Sequence, residues 1–294
     1  MAVLQPRRRA AVRRALNLPP LSYFFVSAVF HYLGPAFAVL LFQRVDVLGV
    51  AWFRIAAAAV VFGVWRRPWR LLRSLSPSRS WTLLSLGLVL ATMNCTFYLA
   101  IDRLPLSTVG AIEFLGPICL AAAGVRTPRN FLALALAVGG VFFLTHVRIA
   151  GELLGFVFAF ANCALFVLYI LLGHRIARDG GAAGVDRLGI AMLIAAMAVT
   201  PVGMTGALPA FSQPLLVGAG IAVGICSSVI PYVCDQLAMA RMARSTFALL
   251  LSLLPATATA IGALVLAQFP TPIEMAGIAF VIAGVALHHE AAAT

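Results

Sequence analysis

The chain has 294 residues, 63% of them hydrophobic and only 10% charged, with a mean hydropathy of +1.03. Soluble domains carry about 25% charged residues, so this composition excludes a sizeable soluble domain and points to one integral membrane unit. The net charge of +12 does not point to nucleic acid: all 21 basic residues are Arg, set in short clusters between apolar runs. That is the pattern of loops held at an anionic membrane face.

Residues 1–20 form a basic arm carrying Arg7, Arg8, Arg9, Arg13 and Arg14. The apolar run that follows extends from Leu21 to Phe42 without a small-residue cleavage site, so it reads as a retained first helix rather than a signal peptide. A spanning helix needs about 20 apolar residues. That ruler predicts ten spans, at 21–42, 47–65, 81–101, 106–125, 129–147, 151–173, 188–208, 214–239, 245–268 and 272–289. The connections Gln43 to Asp46, Asp102 to Pro105 and Val125 to Pro128 are tight turns, which makes consecutive helices antiparallel neighbours. Pro201, Gly203 and Gly206 interrupt the seventh span. Cys95, Cys119, Cys163, Cys226 and Cys234 all fall in apolar runs without metal-ligand spacing, so they read as small buried hydrophobes and no metal is expected.

Counting Arg orients the chain. With the N-terminus inside, the inner loops hold 17 Arg and the outer loops only Arg44, Arg103 and Arg148. Ten spans then return the C-terminus to the cytoplasm. Two stretches repeat at an offset of 138: Leu99, Ala100, Arg103, Ser107, Thr108, Leu115 and Pro117 recur as Leu237, Ala238, Arg241, Ser245, Thr246, Leu253 and Pro255. Span 3 ends outside at Arg103, whereas span 8 ends inside at Arg241. Five spans per half is odd, so the halves have opposite topology. The expected fold is all-α: a polytopic membrane protein of ten transmembrane helices in two inverted five-helix repeats, 21–147 and 151–290.

Charge at bilayer depth costs about 2.5 kcal/mol or more per group, so the few polar residues inside spans are informative. Glu113 lies about 10 Å below the outer boundary at 1.5 Å per residue. Arg54 and Asn94 reach a similar depth. Arg54 and Glu113 read either as a fixed ion pair tying spans 2 and 4 or as partners for the two ends of a zwitterion. Asp235 lies a turn or two from Arg241, and reads either as an interfacial partner of that Arg or as part of an inner polar layer with Gln236 and Tyr232. His31, Tyr32 and Asn162 lie near the middle of spans 1 and 6. Tyr23, Tyr169 and Trp81 read as interfacial anchors. Pro35, Pro117, Pro231 and Pro255 are candidate kinks or hinges.

The motifs MNCTFYLAIDRLPL (Met93–Leu106), AIEFLGP (Ala111–Pro117), SSVIPYVCDQLAMAR (Ser227–Arg241) and STFALLLSLLPA (Ser245–Ala256) resemble the drug/metabolite transporter superfamily in its EamA branch. Within it they are similar to the threonine and homoserine exporter subgroup. The resemblance implies roles for Arg54 in span 2, for Asn94, Tyr98, Glu113 and Pro117 in spans 3 and 4, and for Pro231, Tyr232 and Asp235 in span 8. The chain departs from the family where Leu254-Pro255 replaces Glu-Pro and Leu266-Ala267-Gln268 replaces Leu-Gly-Glu. Two acidic positions are thereby lost, and proton traffic in the second half rests on Asp235.

The expected function is export of small amino acids or related zwitterions by alternating access. Arg54, Asn94, Tyr98, Glu113, Asn162, Tyr232, Asp235 and Gln236 are the substrate-binding candidates, and His31, Glu113 and Asp235 the proton-coupling candidates. The partners are a small-molecule substrate and the bilayer, as a monomer or homodimer, with no cofactor. No HExxH, phosphate-binding Gly loop or GxSxG speaks for an enzyme. An EamA-type carrier of another metabolite or drug, and a non-transporting receptor or assembly factor, are the alternatives.

Overall fold

Apolar rods joined by turns a few residues long make up the chain. The structure, a computed structural model, describes residues 19–71, 77–124, 127–146, 152–177, 181–242, 247, 250 and 254–287. In chain order the helices are α1 (Pro20–Leu41), α2 (Val47–Arg66), α3 (Pro77–Ile101), α4 (Leu106–Gly124) and α5 (Pro128–His146). They continue with α6 (Leu153–Ala177), α7 (Gly181–Ala207), α8 (Pro214–Met239), α9 (Leu254–Leu266) and α10 (Pro272–Leu287). Among the described residues there is no strand. Six helices are long and apolar enough to cross a membrane: α1, α2, α3, α6, α7 and α8. The N-terminal arm, Arg73, Arg126, Arg148, Arg178, Arg244, Ser245, Thr246 and Leu253 lie outside the described residues, as does the Pro117 side chain.

Local chemistry sets several helix ends. Asp46 caps α2, its carboxylate accepting the N–H of Leu48 at 2.9 Å and of Gly49 at 3.3 Å. Thr271 and Glu274 form a reciprocal capping box at α10: Glu274 accepts the Thr271 N–H at 2.8 Å, and Thr271 Oγ1 accepts the Glu274 N–H at 3.3 Å. The seventh helix corrects the sequence expectation. It begins at Gly181 rather than 188 and runs unbroken through Pro201 to Ala207. Its polar first turns are held by Asp186, which pairs with Arg66 at the end of α2. Trp52 Nε1 on α2 donates to Thr200 Oγ1 beside Pro201 at 3.0 Å, and Thr200 bonds back to Ala196 C=O. One missing N–H does not end a helix braced in this way.

After α9 the backbone turns through Ala267, whose φ of 53° is in the left-handed region. The Gln268 N–H reaches back to Gly262 C=O at 3.0 Å, and Gln268 Oε1 accepts the Leu106 N–H at the start of α4 at 3.1 Å. So the residue standing for the family's Glu still supplies an acceptor to a helix N-terminus. The residue standing for its Gly pays the Cβ strain of a left-handed turn. Ala267→Gly is expected to stabilise the protein by about 1 kcal/mol, read as a raised unfolding midpoint in detergent.

The main helix packings share one pattern. α1 lies against α8 and α9, and α6 lies against α3 and α4. α2 packs on α7 and α8, α3 on α7, α4 on α9, and α5 on α10. Exchanging each helix for the one five places along leaves this set unchanged. The outward faces are apolar: Val64 is 76% exposed, Leu215 and Leu264 84%, and Phe269 78%. Such surfaces are at home in lipid rather than water. The polar residues of the spans turn inward, where α1, α2, α3, α4, α6 and α8 meet.

Candidate functional site

The geometry at α8 starts with a proline. In an α-helix the C=O of Ser227 takes its hydrogen from residue 231, and Pro231 has no N–H to give. Around it α8 widens into a π-turn over Ile225–Val229. α1 crosses at this turn with Gly34 against Ser227, where a Cβ would lie 2.6 Å from the Ser227 nitrogen. From α2 comes Arg54, 4% exposed. Its Nη2 donates to Ser227 C=O at 2.9 Å and its Nε to Ser228 Oγ at 2.9 Å, with Tyr232 OH at 3.5 Å from Nη2. The guanidinium sits 5.1 Å from the centre of the Tyr98 ring. Among the described residues no carboxylate forms an ion pair with Arg54.

Glu113 on α4, 2% exposed, faces Arg54 across a cavity but is held by other groups. Tyr32 OH donates to its Oε2 at 3.2 Å, Asn162 Nδ2 donates to its Oε1 at 2.9 Å, and His31 Nε2 lies 3.6 Å from Oε2. The Arg54–Glu113 ion pair that shared depth allowed is therefore not formed. His31, Arg54, Met93, Asn94, Phe97, Glu113, Asn162 and Tyr232 line the cavity, a narrow space with room for about one water molecule. Asn162 Oδ1 is buried at this wall without a hydrogen-bond partner. Asn94 is less available, because its Nδ2 donates to Leu90 C=O at 2.6 Å and its Oδ1 accepts from Tyr232 OH at 3.4 Å. It serves to orient Tyr232.

Asp235 corrects the interfacial reading. It is 4% exposed and bonded by Ser27 Oγ from α1 and by Tyr169 OH from α6 at 3.1 Å, not by Arg241. Tyr169 is correspondingly no interfacial anchor, being 1% exposed. Tyr23 is buried too, with the Arg241 guanidinium 5.4 Å from its ring centre. Glu113 and Asp235 thus each take one hydrogen bond from α1 and one from α6. Gln236 is buried away from the cavity between Gly173 and Gly184, with neither end of its amide bonded. Tyr98 contributes its ring face to Arg54, with its OH beside Ser227 and Arg54. Pro35 lies inside an unbroken α1, and Pro255 lies in the first turn of α9.

Residues 153–288 match the family model described as "EamA-like transporter family". Over 257 residues the chain is 34% identical to the threonine/homoserine exporter RhtA of Escherichia coli (strain K12), covering 85% of this chain and 84% of that one. This chain belongs to the EamA-like transporter family. A second relative in this family, the threonine/homoserine exporter RhtA of Salmonella typhimurium (strain LT2), is 33% identical over the same coverage. A solved crystal structure aligns with a TM-score of 0.58 at 19% identity, covering 90% of this chain and 96% of that one, a likeness of fold alone. Membership makes the protein an RhtA-like membrane exporter. Sequence reasoning missed Ser27 and Ser228. Ser27 stands four residues before His31, on the same face of α1, which was the available signal. Ser228 becomes visible only once α2 is seen to cross α8.

Proposed function

We propose that this protein exports threonine-like, small neutral amino acids from the cytoplasm across the inner membrane by alternating access. The observation that carries the reading is a buried guanidinium with no carboxylate partner facing a buried carboxylate across one small cavity. A zwitterion supplies both missing charges at once: its carboxylate completes Arg54, and its ammonium meets Glu113 and the unbonded Asn162 Oδ1. Met93 and Phe97 leave an apolar wall for a short side chain. The exchange-symmetric helix packing supports two inverted halves with the site between them, and the Arg asymmetry supports cytoplasmic termini. His31, between Glu113 and the Ser27–Asp235 pair along α1, is the candidate proton carrier with the two acids.

Counterflow in proteoliposomes tests the reading. Labelled threonine or homoserine exchanges against the same unlabelled amino acid, and an imposed pH gradient drives net movement. Transport of an unrelated metabolite with no amino-acid counterflow overturns the substrate. Counterflow indifferent to the gradient keeps the substrate and discards proton coupling.

A further inference from the structure

Three features of the molecule compete for attention beyond the cavity itself: the recess at the α3–α4 turn and the α9–α10 linker, the unbonded Gln236 amide, and the wide turn of α8. The recess is lined by charges already engaged, Asp102 with Arg103 and Glu274 with Thr271. Gln236 lies against Gly173 and Gly184 and lines neither the recess nor the cavity. The wide turn touches Arg54 directly and explains its posture.

We propose that the wide turn of α8 is the holder that aims Arg54 at the substrate carboxylate, with Ser228 and Pro231 as positioning residues. This deepens the amino-acid reading and rests on it. The argument is one of hydrogen-bond supply. A guanidinium has five N–H groups in a rigid fork. A buried Arg free to rotate would spend them on whatever acceptors lay nearest, and its orientation would wander. Here two acceptors one residue apart fix two edges of the fork: Ser227 C=O takes Nη2 and Ser228 Oγ takes Nε, both at 2.9 Å. The Tyr98 ring fixes the plane from one face. The edge of the fork that lines the cavity is what meets the substrate.

The carbonyl is available because residue 231 is proline. With an amide there, Ser227 C=O would have its own helical donor and would hold Arg54 less strongly. The dependence runs both ways, since a buried carbonyl without a donor is costly. Arg54, 173 residues from Ser227 in sequence, supplies its carbonyl with the hydrogen that Pro231 withholds. Pro231 thereby acts on the substrate through Arg54 without touching it.

The test reads selectivity for the carboxylate, which a merely structural role would not move. Binding of threonine and of its amino alcohol, which lacks the carboxylate, is measured on the purified full-length protein in detergent. Ser228→Ala and Pro231→Ala are each expected to cut the preference for threonine by about tenfold, equivalent to about 1.4 kcal/mol, with amino-alcohol affinity unchanged. Equal weakening of both ligands, or an unchanged ratio, overturns the proposal.

A second readout needs no ligand. The shift in unfolding midpoint on Arg54→Gln is expected to be less adverse in the Pro231→Ala background, where Ser227 C=O regains a helical donor. Additive shifts overturn the holder. If Pro231→Ala does not fold, the same cycle with Ser228→Ala decides. If Arg54→Gln leaves the threonine preference intact, the amino-acid reading of Arg54 fails, and the midpoint cycle still judges the holder separately.

Discussion

Arg54→Gln is expected to lower threonine counterflow by about 10- to 100-fold at matched membrane expression. A hydrogen bond to a charged group is worth about 1.5–3 kcal/mol, and each 1.4 kcal/mol is tenfold. The substitution removes the permanently charged partner of the carboxylate and leaves the rest of the cavity lining in place. Arg54→Lys separates charge from shape. A lysine ammonium keeps the charge but cannot reach Ser227 C=O, Ser228 Oγ and a ligand in one plane. Lys is therefore expected to fall between Arg and Gln in affinity. Rates are measured by counterflow and affinities by competition with unlabelled threonine. Wild-type counterflow in Arg54→Gln would remove Arg54 from the site, and with it the zwitterion reading.

The spans were the most legible part of the fold, because lipid imposes a length and a polarity on each of them. α2 occupies Val47–Arg66 against an expected 47–65, and α3 ends at Ile101 as expected. The seventh span was misjudged because Pro201 and its glycines are breakers in water, whereas here the helix is braced by Trp52 and Thr200 from a neighbour and from itself. The site was legible as a list and not as a set of partners. Depth placed Arg54, Asn94 and Glu113 together, and the cavity lies among them. Depth along a helix says nothing of azimuth, so it did not reveal that Glu113 turns to Tyr32 and Asn162 while Arg54 turns to α8. Asp235 looked interfacial because it was ruled against Arg241 along one helix. Its partners, Ser27 and Tyr169, come from two others.

Glu113→Gln gives the opposite signature to a structural defect: transport is lost and stability is kept. The carboxylate is 2% exposed, and among the described residues the cation within pairing distance is His31, which is charged only when protonated. Removing an incompletely compensated buried charge is neutral or stabilising as long as its hydrogen bonds survive. They survive here. Gln Oε1 still accepts the Asn162 amide, and the Tyr32 hydroxyl can rotate to accept from the new NH₂. The unfolding midpoint is therefore expected to stay level or rise. The substrate ammonium, by contrast, loses the anion that compensates its burial. Threonine counterflow is expected to drop by about tenfold or more, and any pH-gradient drive carried by this acid disappears with it. The two measurements on one variant separate the two readings of Glu113. A protein that melts much lower identifies a structural group whose charge holds α1, α4 and α6 together. A protein that melts normally but transports at the wild-type rate shows that the ammonium is met elsewhere, with Asp235 the next carboxylate to test. Normal melting with lost transport leaves Glu113 as the anionic end of the site.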